Sequence, residues 1–277
     1  MKISKKRLIL GFLMAVSLLI LIFIYRSLEK SRKIEVIFLD VGQGDASLIK
    51  LPNNKKILID GGPDNLVIRQ LGDNLPFFDR RIDLMVLSHA HDDHLLGLIE
   101  VINRYRVGTI IYMKGVQESS LFKLWLATAQ SAGIKIIALE SEATLEYFPG
   151  CFLSVFNPLF WDVKVDANNS LVTKLNCLSV SALFTGDNSA RVEETLIEKG
   201  GDLSAKILKA GHHGSKTANS LQFLEAVNPE RFIISVGADN RFGHPSPEIL
   251  KTVEKMGLKL NRTDREGTIK IEFFPIF

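Results

Sequence analysis

The chain carries the stretch His89-Ala90-His91-Asp92-Asp93-His94 between two apolar runs. The run before it, residues 83–88, is typical of a buried strand, and the run after it, residues 95–99, of the start of a helix. The stretch therefore lies on a strand-to-helix turn, where side chains converge on a cleft. All six histidines of the chain fall within three short polar stretches, 89–94, 212–213 and 244. This grouping argues against the alternative interpretation, a solvated polar loop that is rich in histidine by chance.

The spacing within residues 89–94 indicates a site for two metal ions. Two imidazoles two residues apart, those of His89 and His91, can point into one pocket, while Asp93 and His94 can reach a second position beside it. Imidazole and carboxylate ligands of this kind suit Zn or Mn. We therefore predict two divalent metal ions, Zn or Mn, with these four side chains among their ligands.

The pattern His-x-His-x-Asp-His after a buried strand resembles the signature of the metallo-β-lactamase superfamily. Four further phrases narrow the resemblance to the metallohydrolase domain of ComEC-type DNA-uptake (competence) proteins. These phrases are Phe38-Leu39-Asp40-Val41-Gly42-Gln43-Gly44-Asp45-Ala46, Leu58-Ile59-Asp60-Gly61-Gly62, Phe184-Thr185-Gly186-Asp187 and Leu208-Lys209-Ala210-Gly211-His212-His213-Gly214-Ser215. The resemblance covers about residues 34–273 and does not extend to the multi-span channel region of those proteins.

The resemblance implies an α+β fold, a four-layered αββα sandwich in which two sheets pack face to face with helices outside. The order of the elements fits this architecture, because short β-rich runs alternate with helical stretches after residue 34. We predict two parts of the chain: a membrane anchor and linker over residues 1–33, and a metallo-β-lactamase-like hydrolase domain over residues 34–277.

An apolar segment near the N-terminus, residues 8–25, contains no charged side chain. Eighteen helical residues span roughly 27 Å at about 1.5 Å each, close to the ~30 Å hydrocarbon core of a bilayer. A cleavable signal peptide is the alternative, but the segment ends without the small residues of a cleavage site. Basic residues flank both ends, and the purely basic N-terminal side favours an external domain. We predict a single-pass membrane protein with its hydrolase domain outside the cytoplasm.

Two later strand ends supply the remaining metal ligands. Asp187 ends the run 184–187, and we predict that it bridges the two metals rather than only capping a helix that starts near Ser189. A strand over residues 206–210 delivers a Gly-His-His-Gly turn to the same edge. One of its histidines is expected to complete the second metal; we choose His212, although the sequence alone leaves His213 open.

Five residues are predicted to take part in catalysis: Asp93, Asp187, His213, His244 and Lys216. The two carboxylates are expected to orient the attacking hydroxide. The histidine of the 212–213 pair that does not bind metal, with Ser215 and Lys216, could hydrogen-bond an oxyanion or a phosphate. His244 lies in a Gly/Pro loop and is either a surface residue or a proton donor at the cleft.

The sequence departs from the superfamily pattern at residues 166–170, Asp-Ala-Asn-Asn-Ser, where the resemblance implies another histidine and none is present. The first metal position is therefore expected to be one ligand short. Asn168 or Asn169 contacts substrate or water there, or the segment is a plain turn. Asp60 either supports the metal cleft from behind or only ends a strand in a tight turn. Cys151 and Cys177 are either two buried thiols or a single disulfide.

Charge gives no support for a strongly basic nucleic-acid binder. The net charge is +3, but four basic residues and no acid lie within residues 1–25, so the remainder is close to neutral. Any contact with DNA must then be local. The candidates near the metal-bearing loops are Lys206, Lys209, Lys216 and Arg241.

The predicted chemistry follows from the metals. Two cations a few ångströms apart activate a bridging water and clamp the oxygen of the scissile group, which suits several kinds of hydrolysis. As the resemblance implies, we expect a membrane-anchored phosphodiesterase or nuclease that acts on DNA with a metal-activated hydroxide. The expected partners are DNA or another phosphodiester, the membrane through the N-terminal helix, and other DNA-uptake components. The alternatives are a hydrolase of another small or lipid-linked phosphoester or of a lactam, and a weakly catalytic binding subunit.

Overall fold

A computed structural model describes residues 11–22, 33–115, 119–156, 169–178 and 180–274. The described strands, in chain order, are β1 (Ile34–Phe38), β2 (Ser47–Lys50), β3 (Lys56–Ile59), β4 (Arg81–Leu87), β5 (Arg106–Met113), β6 (Lys135–Leu139), β7 (Ala143–Phe148), β8 (Cys151–Phe156), β9 (Val172–Cys177), β10 (Val180–Phe184), β11 (Ile207–Lys209), β12 (Arg231–Ile234), β13 (Lys259–Arg262) and β14 (Ile269–Phe273). The described helices are α1 (described over residues 11–22), α2 (Leu66–Asn74), α3 (Asp92–Arg104), α4 (Ser120–Ser131), α5 (Ala190–Glu198), α6 (Leu221–Val227), α7 (Pro247–Lys255) and α8 (Thr263–Glu266).

The strands form two seven-stranded sheets, with the orders β14-β1-β2-β3-β4-β5-β6 and β13-β12-β11-β10-β9-β8-β7. The strands from β3 to β6 are parallel in the first sheet, and those from β10 to β13 are parallel in the second. Parallel strands end at the same edge of a sheet, so the segments that follow β4, β10, β11 and β12 can meet. These segments carry the candidate site.

Apolar residues fill three layers. Alternate residues of β1, namely Ile34, Val36 and Phe38, face a core shared by both sheets, and the Phe38 and Phe184 rings meet there with centroids 5.9 Å apart. The outer face of the first sheet packs against α2, α3 and α4, and that of the second against α5, α6 and α7. The predicted αββα sandwich is confirmed.

Element boundaries differ from the sequence prediction in two places. Helix α3 begins at Asp92 rather than near residue 95, with His91 as its N-cap, so Asp93 and His94 belong to its first turn. Carboxylates at this position are favoured by the helix dipole. Strand β14 was not predicted; it pairs antiparallel with β1 and closes the edge of the first sheet.

The N-terminal segment is described only in part. Residues 11–22 are helical, and their large apolar side chains are exposed, including those of Phe12 and Leu19. Within the residues that the structure describes, no helix has both the length and the apolar character needed to cross a membrane. The predicted span, residues 8–25, extends outside the described residues at both ends, and the transmembrane helix remains a prediction.

The two cysteines form a disulfide. Cys151 of β8 and Cys177 of β9 face each other across neighbouring antiparallel strands, and both are buried in the core between the sheets. The bond crosslinks the second sheet, and the alternative of two free thiols is excluded.

Candidate metal centre

The turn between β4 and α3 delivers four polar side chains to one space. Residues 82–87 of β4 are buried. His89, two residues after the strand, has 1% of its surface exposed. His91 caps α3, which turns the chain so that Asp93 and His94 of the first helical turn face back toward His89. The rings of His89 and His94 have centroids 4.1 Å apart. The strand-to-helix turn predicted from the sequence is therefore present.

Asp187, which follows β10, lies at the centre of the histidines. Its Oδ1 is 3.4 Å from Nε2 of His94 and 3.7 Å from Nε2 of His213. Its Oδ2 is 3.8 Å from Nε2 of His89 and 3.7 Å from Nε2 of His212. The two oxygens of one buried carboxylate thus face two different pairs of histidines.

Possible ligand atoms fall into two groups that share this carboxylate. In the larger group the atoms all lie within 4.8 Å of one another, and its members are Asp93, His94, Asp187 and His213. The smaller group obeys the same limit, and its members are His89, His91 and Asp187. The geometry therefore offers one group of four residues and one of three.

The structure brings His213, rather than His212, into the larger group. Nε2 of His213 lies 3.2 Å from Oδ2 of Asp93, and its Nδ1 donates to the carbonyl of Ser235 at 3.0 Å. His212 is partly exposed and faces Oδ2 of Asp187 beside the smaller group. Both histidines adopt left-handed backbone angles, φ 48° and 53°, in a turn between Gly211 and Gly214, which is why adjacent residues point to different groups.

Hydrogen bonds at Nδ1 orient three imidazole rings so that their Nε2 atoms face Asp187. The hydroxyl of Ser88 donates to Asp60 at 2.7 Å, so it accepts from Nδ1 of His89 at 3.1 Å. Nδ1 of His94 donates to Asp60 at 2.9 Å, and His213 is fixed in the same way by Ser235. A proton held on Nδ1 leaves the Nε2 lone pair for a metal.

Divalent metal ions fit these residues. Nε2 of His89, Nε2 of His94 and Oδ1 of Asp187 are buried and have no hydrogen-bond partner among the described residues. A buried polar atom without a partner costs about 1–3 kcal/mol, and here three of them converge on one space. A cation bound by imidazole and carboxylate would satisfy all three, and this donor set is typical of Zn and Mn sites.

The charges of the metal-free centre compensate one another. Burial lowers the pKa of His94, but the neighbouring carboxylates of Asp187 and Asp60 outweigh it and hold that pKa well above its usual value. Burial also opposes protonation of His213, yet Asp187 and Asp45 raise its pKa to about 9. In return, His213 and His94 overcome the effect of burial on Asp187 and keep the pKa of its carboxyl well below the usual value. Metal binding must therefore displace protons from these histidines.

Ser170 occupies the segment where the superfamily resemblance implies a histidine. Its hydroxyl lies 3.2 Å from Nδ1 of His89 and accepts from the backbone N–H of Asp187 at 2.9 Å. A Cβ at Gly186 would stand 2.5 Å from Cβ of Ser170, so the two segments approach too closely for any residue larger than glycine at position 186. Ser170 therefore positions groups of the cluster, and the smaller group has three members. Asn169 is buried, and Asn168 lies outside the described residues.

The other predicted site residues lie at the rim. The ring of His244 is half-buried, with its centroid 5.6 Å from that of His212, so it is not an isolated surface residue. Lys216 is exposed, just after the turn that carries His212 and His213. The prediction that Lys209 contacts DNA is wrong, because its side chain is 2% exposed and forms an ion pair with Asp45.

Sequence reasoning missed the residues that hold the histidines. Asp45 lies 3.3 Å from Nδ1 of His213, Ser88 and Ser170 contact His89, and Ser235 acts through its backbone carbonyl. The phrase around Asp45 was noticed only as part of a resemblance. A backbone carbonyl carries no side-chain signal, so the contact of Ser235 is not visible in the sequence.

The two-sheet fold and the cluster of histidines and carboxylates at its strand ends define a metal-dependent hydrolase. The chain belongs to the metallo-beta-lactamase superfamily, whose family model matches residues 39–237. The prediction of a metal-dependent hydrolase of this superfamily is confirmed.

Curated relatives include a competence protein and a recombination protein. The chain is 27% identical over 277 residues to ComE operon protein 3 of Bacillus subtilis (strain 168), a match that covers 93% of this chain and 35% of the relative. It is 39% identical over 106 residues to Competence protein ComA of Neisseria gonorrhoeae, covering 38% of this chain and 15% of that protein. It is 25% identical over 260 residues to Recombination protein 2 of Haemophilus influenzae, covering 91% and 30%. The resemblance to ComEC-type proteins is confirmed, and the chain spans about a third of the length of the first and third relatives.

Solved structures share the fold at low identity. Tm1679, a metal-dependent hydrolase of the beta-lactamase superfamily, superposes with a TM-score of 0.60 at 13% identity, covering 87% of this chain and 99% of that one. Zn(2+)-bound PqqB from Methylobacterium extorquens superposes with a TM-score of 0.55 at 14% identity, covering 86% and 99%. At these identities the likeness establishes the architecture.

Proposed function

We propose that the chain is a metal-dependent phosphodiesterase that cleaves DNA. The observation that carries the proposal is Asp187, whose two carboxylate oxygens face two separate groups of possible metal ligands. A carboxylate in this position could be shared by two closely spaced cations, and such centres stabilise both the attacking and the leaving oxygen of an in-line displacement at phosphorus.

The proposed ligands follow the two groups. His89, His91 and Asp187 would hold one metal, and Asp93, His94 and His213, again with Asp187, would hold the other. His212 is a neighbour of the first metal, which replaces its predicted role as ligand of the second. When bound, two divalent ions activate a water molecule and polarise the phosphoryl oxygens.

The chain's own residues supply the rest of the chemistry. Asp187 and Asp93 stay ionised near neutral pH because histidines surround them, so both can hold the attacking water by accepting its hydrogen bonds. Burial, with His212 and His213, lowers the pKa of His244. A phosphodiester brings negative charge that favours the protonated ring, so His244 can donate a proton to the leaving oxygen. Lys216 is the proposed contact for a backbone phosphate.

The choice of DNA is supported by the relatives. One of them is named as a competence protein, one as a recombination protein and one as ComE operon protein 3. The near-neutral charge of the chain beyond residue 25 argues against tight, non-specific duplex binding, which depends on many Lys and Arg contacts. We therefore propose single strands or ends as the preferred form of DNA.

We also propose that residues 8–25 anchor the chain in a membrane, with the hydrolase domain outside the cytoplasm. The support is the uncharged segment and the exposed apolar side chains of residues 11–22. The disulfide between Cys151 and Cys177 adds support, because disulfides persist in oxidising compartments. Retention of the full chain in the membrane fraction after a high-salt wash tests the anchor, and release into the soluble fraction would count against it.

A second candidate is a hydrolase of a small phosphoester. The near-neutral charge of the chain beyond residue 25 is the observation that favours it. The test that separates the two is hydrolysis of single- and double-stranded DNA and of a chromogenic phosphodiester by the purified full chain, with Mn, Zn and Mg compared. Cleavage of single-stranded DNA supports the proposal. Turnover of the small ester alone, under all three metals, replaces it with the second candidate.

A further inference from the structure

One exposed aromatic ring leads directly into the metal centre. Phe242 lies in the loop after β12, and 56% of its surface is exposed. Its ring is nearly parallel to that of His244, with an interplanar angle of 17° and centroids 6.1 Å apart. The ring of His244 in turn contacts that of His212, which faces Asp187. A short row of rings therefore runs from solvent to the candidate centre.

The loop that carries Phe242 is held in place from within. The side chain of Asn240 donates to the carbonyls of Gly237 and His244, at 2.9 and 2.6 Å. Its Oδ1 accepts from the backbone N–H groups of Phe242 and His244, at 3.2 and 3.0 Å. The side chain of Gln43 also accepts from Gly237 at 3.2 Å, which ties the loop to the turn after β1. These hydrogen bonds fix the backbone of the loop and so hold Phe242 in its exposed position.

Position separates Phe242 from other exposed phenylalanines. Single exposed apolar side chains are normal on protein surfaces and need no ligand. Three other exposed phenylalanines are Phe77, Phe78 and Phe274. The first two precede β4 and the third follows β14. The start of β4, the end of β14 and the start of β1 all lie at the sheet edge opposite the centre. Phe242 alone among these four stacks on a histidine of the site rim.

A cation accompanies the ring. The guanidinium carbon of Arg241 lies 5.3 Å from the Phe242 centroid, and both side chains are exposed. An aromatic face beside an arginine matches the two parts of a nucleotide, because the ring stacks on a base and the guanidinium binds a phosphate. The same pair offers little to a small phosphoester without a planar group.

We propose that Phe242 is a stacking platform for a nucleobase close to the scissile phosphodiester, with Arg241 on a neighbouring backbone phosphate. This rests on the proposed function and names the substrate feature that the site recognises. Stacking on an aromatic side chain tolerates every base, so the platform gives no sequence preference. A base inside a duplex is already covered on both faces, so the platform selects unpaired nucleotides.

The test is the affinity of the purified full chain for short single-stranded oligonucleotides, measured by fluorescence anisotropy in EDTA so that turnover does not compete. One set is intact, and a second carries a single abasic residue at each position in turn. Stacking contributes about 1–3 kcal/mol per base, or about 5- to 150-fold in affinity. We expect Phe242→Ala to lose affinity for intact strands by a factor within that range. We also expect this variant to bind the intact strand no more tightly than the abasic strand that the wild type binds most weakly.

Two variants control the result. Phe242→Trp should retain the preference for the intact strand, because the indole also stacks. Phe77→Ala, which removes an exposed ring at the far edge, should behave as the wild type. The inference is overturned if the wild type does not discriminate against any abasic strand, or if Phe242→Ala keeps that discrimination. If the preference for intact over abasic strands depends on Phe242 but no DNA is cleaved under any metal, the platform stands and the nuclease proposal is refuted. If DNA is cleaved but this preference is absent, the nuclease proposal stands and the platform is refuted.

Discussion

Lys209 and Asp45 form a buried ion pair that joins the two sheets behind the histidine cluster. Lys209 is the last residue of β11 in the second sheet, and Asp45 lies in the turn between β1 and β2 of the first. Asp45 also approaches His213 and His94, at 3.3 and 3.9 Å from their Nδ1 atoms. The ammonium group therefore compensates a carboxylate that shapes the surroundings of two proposed ligands.

Removal of the ammonium should destabilise the protein. Lys209→Met leaves the Asp45 carboxylate buried without its cation, and breaking a buried pair in this way typically costs about 3–5 kcal/mol. The measurement is the free energy of unfolding in urea. Lys251→Met, exposed on α7, is the control, with an expected change within about 0.5 kcal/mol. Equal stability of the two variants would show that the pair is not needed for folding.

Metal content should distinguish the two adjacent histidines. His213→Gln removes a member of the four-residue group, so we expect one metal to be lost or to bind much more weakly. His212→Gln should retain both metals. Elemental analysis after equilibration with limiting metal gives the stoichiometry. Loss of metal from the His212 variant and not from the His213 variant would reverse the assignment.

The same titration should give two unequal affinities for the wild type. One group has four members and the other three, because Ser170 stands in the segment where a further histidine is expected. Fewer ligands bind a cation more weakly. Calorimetry on the metal-free chain should therefore resolve a tight and a weaker step. Two equal steps would contradict the asymmetry.

Glu193 should make the stability depend on pH. Its buried carboxylate accepts from the backbone N–H groups of Asn219 and Ser220, and Asn219 in turn holds Gly211 of the two-histidine turn. Burial raises the pKa of Glu193 despite these bonds. Its contribution is thus full below the unfolded pKa of about 4.5 and declines as pH rises through the folded pKa. The difference in unfolding free energy between wild type and Glu193→Gln should shift against the wild type from pH 4.5 to 7; a constant difference would be contrary evidence.

Lys216 should affect DNA and spare small substrates. If it contacts a phosphate, Lys216→Ala lowers the rate of DNA cleavage and reduces the slope of log affinity against log salt by about 0.7 for single strands. Hydrolysis of a chromogenic phosphodiester should be unchanged. Lys123→Ala, exposed on α4, is the control. An unaltered salt slope would remove Lys216 from the DNA contact.

The resemblance to the superfamily, together with the order of the elements, predicted the αββα fold, and the sequence predicted most members of the metal centre. Part of the centre is encoded locally, because the turn that follows a buried strand carries His89, His91 and Asp93 within five residues. The choice between His212 and His213 could not be made, because it depends on a left-handed turn and on the carbonyl of Ser235, which follows β12.

Lys209 shows where a signal was available and was not used. In β11 the alternation of side chains places Ile207 between the sheets and Leu208 on the outer face. Because side chains alternate between the two faces of a strand, Lys209 points between the sheets like Ile207, away from any DNA. Its partner, Asp45, is far away in sequence, so only the fold reveals that the charge is paired.

The central claim is that Asp187, shared by two metals, enables cleavage of DNA. The most direct measurement is the cleavage rate of a single-stranded oligonucleotide by the full chain in Mn, for the wild type, Asp187→Asn and the exposed control Asp73→Asn. The account predicts cleavage by the wild type and the control, and a loss of at least about 100-fold in Asp187→Asn together with reduced metal content. Undiminished cleavage by Asp187→Asn, or none by the wild type under Mn, Zn or Mg, would contradict it.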